Sequence, residues 1–341
     1  MRSLADKLLP DKLKHELKRI LGKHNANRAG RRGGLCAEKT EHDRGLTIKL
    51  AFAQLWEMGF RLPSIKNLGG RHIDLLMQRW DQENISVKTF HTRLSHLRTF
   101  AGWVGKAGMV RDIHDYLPDR NLVRHEAAES NRAWRPNGVD PMGVIAKARN
   151  LDERLAVMLS LQHAFGLRVK ESIEMRPAYC LVESGAALEI YEGTKGGRLR
   201  RIGIDSDYKR DIFAWARMVA ASGRNARIRW NDCTWKQARA RYYYMVEKLG
   251  ITKGDLGVTS HGLRHSMAQE KYTDLTGLQP PIAGVDPRLV DPKAHREAGI
   301  HISRELGHGR LQVTTAYYGS HGNRLRRDRQ DHGRGGGGEK A

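Results

Sequence analysis

Apolar residues recur at i, i+3, i+4 and i+7 over most of this chain, and the places where that period breaks divide it into segments. Near the N-terminus, LADKLLPDKLKHELKRIL carries leucines at helical spacing, so a helix is expected there. NANRAGRRGG then interrupts the period with glycine and arginine. Residues 1–44 therefore read as a basic N-terminal arm, either reaching for phosphate or simply solvated. From 45 to 117, LTIKLAFAQLWEMGF, HIDLLMQRWDQE and SVKTFHTRLSHLRTFAGWVGKAG read as amphipathic helices. Asn84 or Ser86 is the expected cap of the third. Residues 118–139, PDRNLVRHEAAESNRAWRPNGV, contain Pro and Gly and no sustained apolar period, and read as a linker.

A second domain is expected over 140–320. DPMGVIAKARN and LDERLAVMLSLQHAFG have helical periods, as do SDYKRDIFAWARMVAA and TWKQARARYYYMVEKLG. Between them AALEIYEG and LRRIGI alternate like strands around the turn-like TKGGR. The expected fold class is mainly α with a small β-sheet: a helical domain followed by a mixed α+β domain. Residues 321–341, ending in HGRGGGGEK, are low-complexity and read as a flexible tail.

Composition sharpens this. The 341 residues give room for two domains, and 39% hydrophobic content is enough to build their cores. Sixty Lys and Arg against 38 Asp and Glu leave a net charge of +22, which points to a polyanionic partner, most often nucleic acid. Aromatic content of 7%, without a stacking-rich motif, argues against RNA recognition. Cys36, Cys180 and Cys233 lie far apart, which excludes zinc ribbons and disulfide frameworks and fits a reducing cytoplasm. No apolar run approaches the ~20 residues of a membrane span, and the N-terminus lacks a secretory apolar core. The polar face of the third helix carries Lys88, His91, Arg93, His96 and Arg98, the pattern of a helix laid across a phosphate backbone.

Four short stretches of the second domain hold the candidate chemistry. FGLRVKES ends an apolar helix with Arg168 and Glu171, a pair that a simple i,i+3 surface contact would also give. EGTKGGRLRRIGI puts Lys195 in a Gly-rich turn between strands. TSHGLRHS puts His261 and Arg264 one helical turn apart, on one face. LGHGRLQVTTAYYGS carries His308 and the adjacent Tyr317 and Tyr318. Singly each is weak. In order, two arginines, a hairpin lysine, two histidines and a late tyrosine suit phosphoryl transfer. Arginines grip nonbridging oxygens bidentately and stabilise a pentacoordinate transition state. A lysine can protonate a leaving oxygen, and a phenol can serve as the nucleophile.

This ordered set resembles the active site of tyrosine recombinases, the phage-integrase family, and ISVKTFHTRLSHLRTFAGWVGKAG resembles that family's helical, SAM-like core-binding domain. The resemblance covers about 45–320. It implies catalytic roles for Arg168, Lys195, His261, Arg264, His308 and Tyr317, with Glu171 in support. The family's tyrosine lies nine residues after the LGH histidine, and 308 + 9 is 317. Aligning on TT-x-x-Y instead selects Tyr318, but only with an inserted residue, and adjacent helical residues point about 100° apart. One departure is the length between Arg264 and His308, about twice the family's. The excess, TGLQPPIAGVDPRLVDPKAHREAG, reads as solvated surface, or as a contact to DNA or a neighbouring subunit.

The resemblance implies cleavage and rejoining of double-stranded DNA through a 3′-phosphotyrosyl link, with neither metal nor ATP nor any other cofactor. It also implies a homotetramer on two duplexes, accessory bending and directionality factors, and a bacterial, nucleoid-associated setting in the service of a mobile element. The rivals are a type IB-like topoisomerase and a catalytically inactive DNA-binding factor.

Overall fold

The computed structural model describes residues 4–28, 34–123, 127–221, 226–308 and 310–320. Of Lys195 and Pro287 it describes the backbone alone. The chain divides into two compact units, Met1–Arg124 and His125–Ala341.

In the first unit α1 (Leu4–Leu8), α2 (Asp11–His24), α3 (Glu38–Glu57), α4 (Gly70–Gln82) and α5 (Val87–Trp103) share one core. Trp80, Phe52, Phe90 and Phe100 fill its centre, with Phe52 and Phe100 edge to face at 5.5 Å. Ser86 caps α5 through its hydroxyl, which accepts from Thr89 N at 3.2 Å. Asn84 instead takes a left-handed φ of 49° in the turn before it.

The segment read as a basic arm is built into this unit where it is described. Ala5, Leu9, Leu13 and Leu17 are buried with the apolar face of α3. The Glu16 carboxylate accepts from Ser64 Oγ (2.7 Å) and Ile65 N (2.9 Å). Arg44 is buried and donates to Asn25 Oδ1 and Asn27 O. The leucine period seen in the sequence is a packing face; the high charge of the opposite face disguised it as a tail.

In the second unit α6 (Pro141–Leu151), α7 (Glu153–Phe165) and α8 (Val169–Glu174) precede a three-stranded antiparallel sheet, β1 (Leu181–Val182), β2 (Ala187–Ile190) and β3 (Arg200–Gly203), in the order β1-β2-β3. β2 and β3 pair Ala187 with Gly203 and Ile190 with Arg200. Then come α9 (Asp207–Ala221), α10 (Trp235–Lys248), α11 (His261–Thr276), α12 (Pro292–Glu305) and α13 (Leu311–Tyr318). Helix α7 is buried on every side from Leu155 to Phe165, which is why its sequence lacks a polar face. Asp140, before Pro141, and Asp152 cap α6 and α7. The mainly helical class with a small sheet is as expected; β1, two residues long, carries too little pattern to be read in advance.

The latter half of the stretch read as a linker packs into this unit. Trp134 is fully buried, its N donates to Ser266 Oγ (3.0 Å), and its indole Nε1 donates to Thr259 O (2.8 Å). A single anchoring aromatic leaves no period to detect. The tail read over 321–341 lies outside the described residues. Among the described residues no helix is long and apolar enough to cross a membrane.

Candidate active site

The site is assembled where α7, α11 and the α12–α13 connection meet. Helix α7 ends on Gly166, whose φ of 57° turns the chain in the left-handed region. That conformation favours glycine, and a Cβ here would also stand 2.2 Å from Met267 Cε and 3.2 Å from Leu306 Cδ2, so its absence lets the turn lie close to α11. Arg168 follows, as the residue before α8. Its N donates to Glu171 Oε2 (2.8 Å) and its Nη1 to Glu171 Oε1 (2.6 Å). The bland alternative of a simple surface pair does not hold, for Glu171 is fully buried.

The second partner of Glu171 was not anticipated from the sequence. Arg200, on β3, is buried and donates to the Glu171 carboxylate and twice to Glu305 O (2.9 and 2.7 Å). The available signal was its phase: on a strand of period two, Arg200 falls on the same face as the core residue Ile202. Burial raises the pKa of Glu171, but the cations of Arg200, Arg168 and Arg264 outweigh it and hold the carboxyl below the usual range.

Arg264 is fully buried in the first turns of α11. Its Nη2 donates to Leu306 O (2.6 Å), its Nη1 donates to Gly166 O, and its Nε donates to the phenol oxygen of Tyr317 (3.3 Å). Arg168 Nη2 reaches the same Leu306 carbonyl at 3.4 Å, so the two guanidiniums converge. Three arginines against one carboxylate leave two positive charges in surplus, held on donors that water reaches poorly. That is a receptor for an anion.

Three imidazoles surround the Tyr317 ring. His308 stacks on it with centroids 5.3 Å apart, His265 lies at 4.6 Å and His261 at 5.9 Å. His308 Nε2 accepts from Arg264 Nη2 (3.3 Å), which leaves the proton on Nδ1, donated to Thr314 Oγ1 at 3.0 Å. Desolvation, then the cations of Arg264, Arg168 and Arg132, push His261 down to about 4. The residue is nevertheless exposed at the surface, so an imidazole held neutral at pH 7 stands where a proton can reach it. His265 is buried and, mainly through desolvation, pushed down to about 3. Like Arg200 it was missed, although it follows Arg264 directly.

The two tyrosines part company. Tyr317 faces Arg264 and the histidines. Tyr318 is fully buried on the other side of α13, stacked on Tyr272 at 5.1 Å, and burial raises its pKa. Lys195 lies in the turn between β2 and β3, and its side chain is outside what the structure describes. That turn is set against α8 by Gly193, with φ of 77° and an added Cβ only 2.6 Å from Lys170 O.

The basic face predicted on α5 is partly internal. His91 is bonded to Leu122 O (2.9 Å) and His96 to Thr47 Oγ1 (2.9 Å), while Arg93 lies over Trp80, 5.0 Å from the ring centre. These three are half-buried because α5 is flanked on its polar side as well. Lys88 and Arg98 remain exposed, Arg98 donating to Val110 O and Arg111 O.

Comparison with known proteins gives two family matches, to "Phage integrase, N-terminal" over residues 11–110 and to "Integrase" over residues 128–270. No curated protein matches the chain. Solved structures share the fold. XerH site-specific recombinase bound to a palindromic difH substrate is 15% identical, with a TM-score of 0.53 over 96% of this chain and 91% of that one. A lambda integrase tetramer bound to a Holliday junction is 13% identical, with a TM-score of 0.56 over 94% and 82%. The Tn1549 transposon integrase in complex with transposon right-end DNA is 12% identical, with a TM-score of 0.52 over 93% and 99%.

Proposed function

The chain belongs to the tyrosine recombinase family of phage integrases, and from that premise we propose how its own residues carry out DNA strand exchange. It is a site-specific recombinase. A scissile phosphate enters beside Arg168 and Arg264, whose surplus charge neutralises the nonbridging oxygens and the charge that builds on them in the transition state. Tyr317 Oη attacks phosphorus and its proton passes to the neutral His261. The P–O5′ bond breaks, and Lys195 supplies the proton to the departing 5′-oxygen. A 3′-phosphotyrosyl link results, which conserves the phosphodiester energy. The 5′-hydroxyl of a partner strand then returns a proton to Lys195 and attacks the link, the P–O bond to Tyr317 breaks, and His261 gives its proton back to the departing phenolate. His308, anchored on Thr314, accepts from Arg264 and so holds that guanidinium toward the phosphate. Glu171 fixes Arg168 and, through Arg200, the strand that leads from the lysine turn.

The observation that carries this reading is the hydrogen bond from Arg264 Nε to Tyr317 Oη, 3.3 Å long, with the neighbouring phenol of Tyr318 buried away from it. Lys88 and Arg98 supply phosphate contacts from the first unit, and the +22 charge supplies salt-dependent affinity. Four protomers on two duplexes form the working assembly, a reading supported by the likeness to a lambda integrase tetramer bound to a Holliday junction.

A nicked suicide substrate, drawn from DNA flanking the gene, tests the chemistry in EDTA. Wild type and Tyr318→Phe are expected to give a denaturant-stable protein–DNA band, and Tyr317→Phe none. A band lost with Tyr318→Phe alone would move the nucleophile. No band from wild type on DNA that it binds would leave a DNA-binding factor.

A further inference from the structure

The segment between Gly277 and Ile300, read as surface from its Pro, Gly and charge content, packs against the tyrosine helix. Pro280, Pro281, Val290, Ala298 and Gly299 are buried. Tyr318 stacks on Tyr272 of α11 and meets the edge of His295 of α12 at 5.9 Å, and His295 Nδ1 is 2.8 Å from Tyr272 Oη. Two glycines set the distances. A Cβ at Gly299 would stand 2.6 Å from Tyr318 Oη and 2.9 Å from Leu311 Cδ1, so α12 touches α13 at both ends. A Cβ at Gly319, where φ is 89°, would stand 2.8 Å from Ile282 N and 3.2 Å from Pro281 Cβ. The connection before α12 thus abuts the end of α13, two residues beyond Tyr317.

We propose that residues 278–299 form a seat that holds the tyrosine helix in the active site of its own chain, with Gly299 and Tyr318 as the positioning pair. Tyr318 takes no part in the chemistry. It locks the helix in rotation and height, so that the preceding residue presents its phenol to Arg264. The seat rests on the reading of Tyr317 as nucleophile.

Gly299→Ala tests it. Ordinary contact begins near 3.4 Å, so 3.4 − 2.6 leaves 0.8 Å that the Tyr318 phenol must yield. Its ring is pinned by Tyr272, so α13 moves with it. Misplacement of about 1 Å costs on the order of a hundredfold in rate. Single-turnover cleavage of the suicide substrate is expected to fall roughly tenfold to a hundredfold, with DNA affinity kept. Gly299→Ala combined with Tyr318→Phe removes the oxygen that the new methyl meets, while exposed Leu311 can rotate away. Cleavage is expected to return to within about threefold of Tyr318→Phe alone, a rescue that general destabilisation would not give.

Wild-type cleavage by Gly299→Ala, or a loss that Tyr318→Phe does not rescue, overturns the seat. If Gly299→Ala does not fold, as judged by lost DNA binding and circular dichroism, His295→Ala serves. It removes the Tyr272 bond without overpacking and should slow cleavage about threefold or more at unchanged affinity; an unchanged rate overturns the seat. Absence of any wild-type adduct refutes the nucleophile assignment instead, and Tyr317→Phe run alongside distinguishes the two failures.

Discussion

Replacing Arg200 by Met probes the buried charge network behind the site. The stem of Arg200 lies against Gly307, and Met fills that space. What is lost is the guanidinium: its bond to Glu171, its two bonds to Glu305 O and a longer one to Phe165 O (3.4 Å). A charge-assisted hydrogen bond is worth about 1.5–3 kcal/mol, and a buried carbonyl left without its donor costs about 1–3 kcal/mol. Together they span about 2.5–6 kcal/mol, which brackets the roughly 3–5 kcal/mol usual for removing one partner of a buried ion pair. For a unit of this size that lowers Tm by roughly 6–20 °C. Differential scanning calorimetry and urea unfolding of the full chain, following the transition of the second unit, measure it. Glu171→Gln should cost a comparable amount. Because the folded pKa of Glu171 lies below the ordinary 4.5, its contribution is present above pH 4.5 and is lost as pH falls through the folded value. Glu171→Gln should lack that acid limb. The double change should cost less than the two single changes summed, since neither Glu171 nor Arg200 is then left buried as a charge without the other. An Arg200→Met protein within about 1 kcal/mol of wild type, or strict additivity, would refute the account of Glu171 as a carboxylate that needs Arg200.

Further outcomes follow from the same geometry. Because His261 is held down to about 4, the acid limb of the cleavage rate should lie well below the ordinary imidazole value of 6.5, and a limb centred at 6.5 would remove it as the base. Gly193→Val forces a Cβ onto Lys170 O and strains a φ of 77°, so it should cost about 1–3 kcal/mol and slow cleavage more than it weakens DNA binding. Lys88→Ala and Arg98→Ala should each lower the slope of log affinity against log salt by about 1, measured by fluorescence anisotropy. His96→Ala, which breaks the bond to Thr47, should lower stability instead.

What the sequence determined by itself was the order of chemical groups and the class of each element. Helical and strand periods are local, and so are the glycine turn after α7, the hairpin around Lys195 and the nine-residue step from His308 to Tyr317. A pattern of types in fixed order survives being read as text. The tertiary structure alone decided which groups meet. Arg200 is a cation within an alternating strand until packing brings it 29 residues back to Glu171. His265 is one more histidine in a basic chain until α13 lays Tyr317 over it. Charge and glycine marked residues 1–44 and 277–300 as surface, because composition reports average solvation and not the few apolar atoms that make a contact. The two adjacent phenols likewise part only in space: the 100° between neighbouring helical residues points one at Arg264 and the other into the aromatic stack beneath α13.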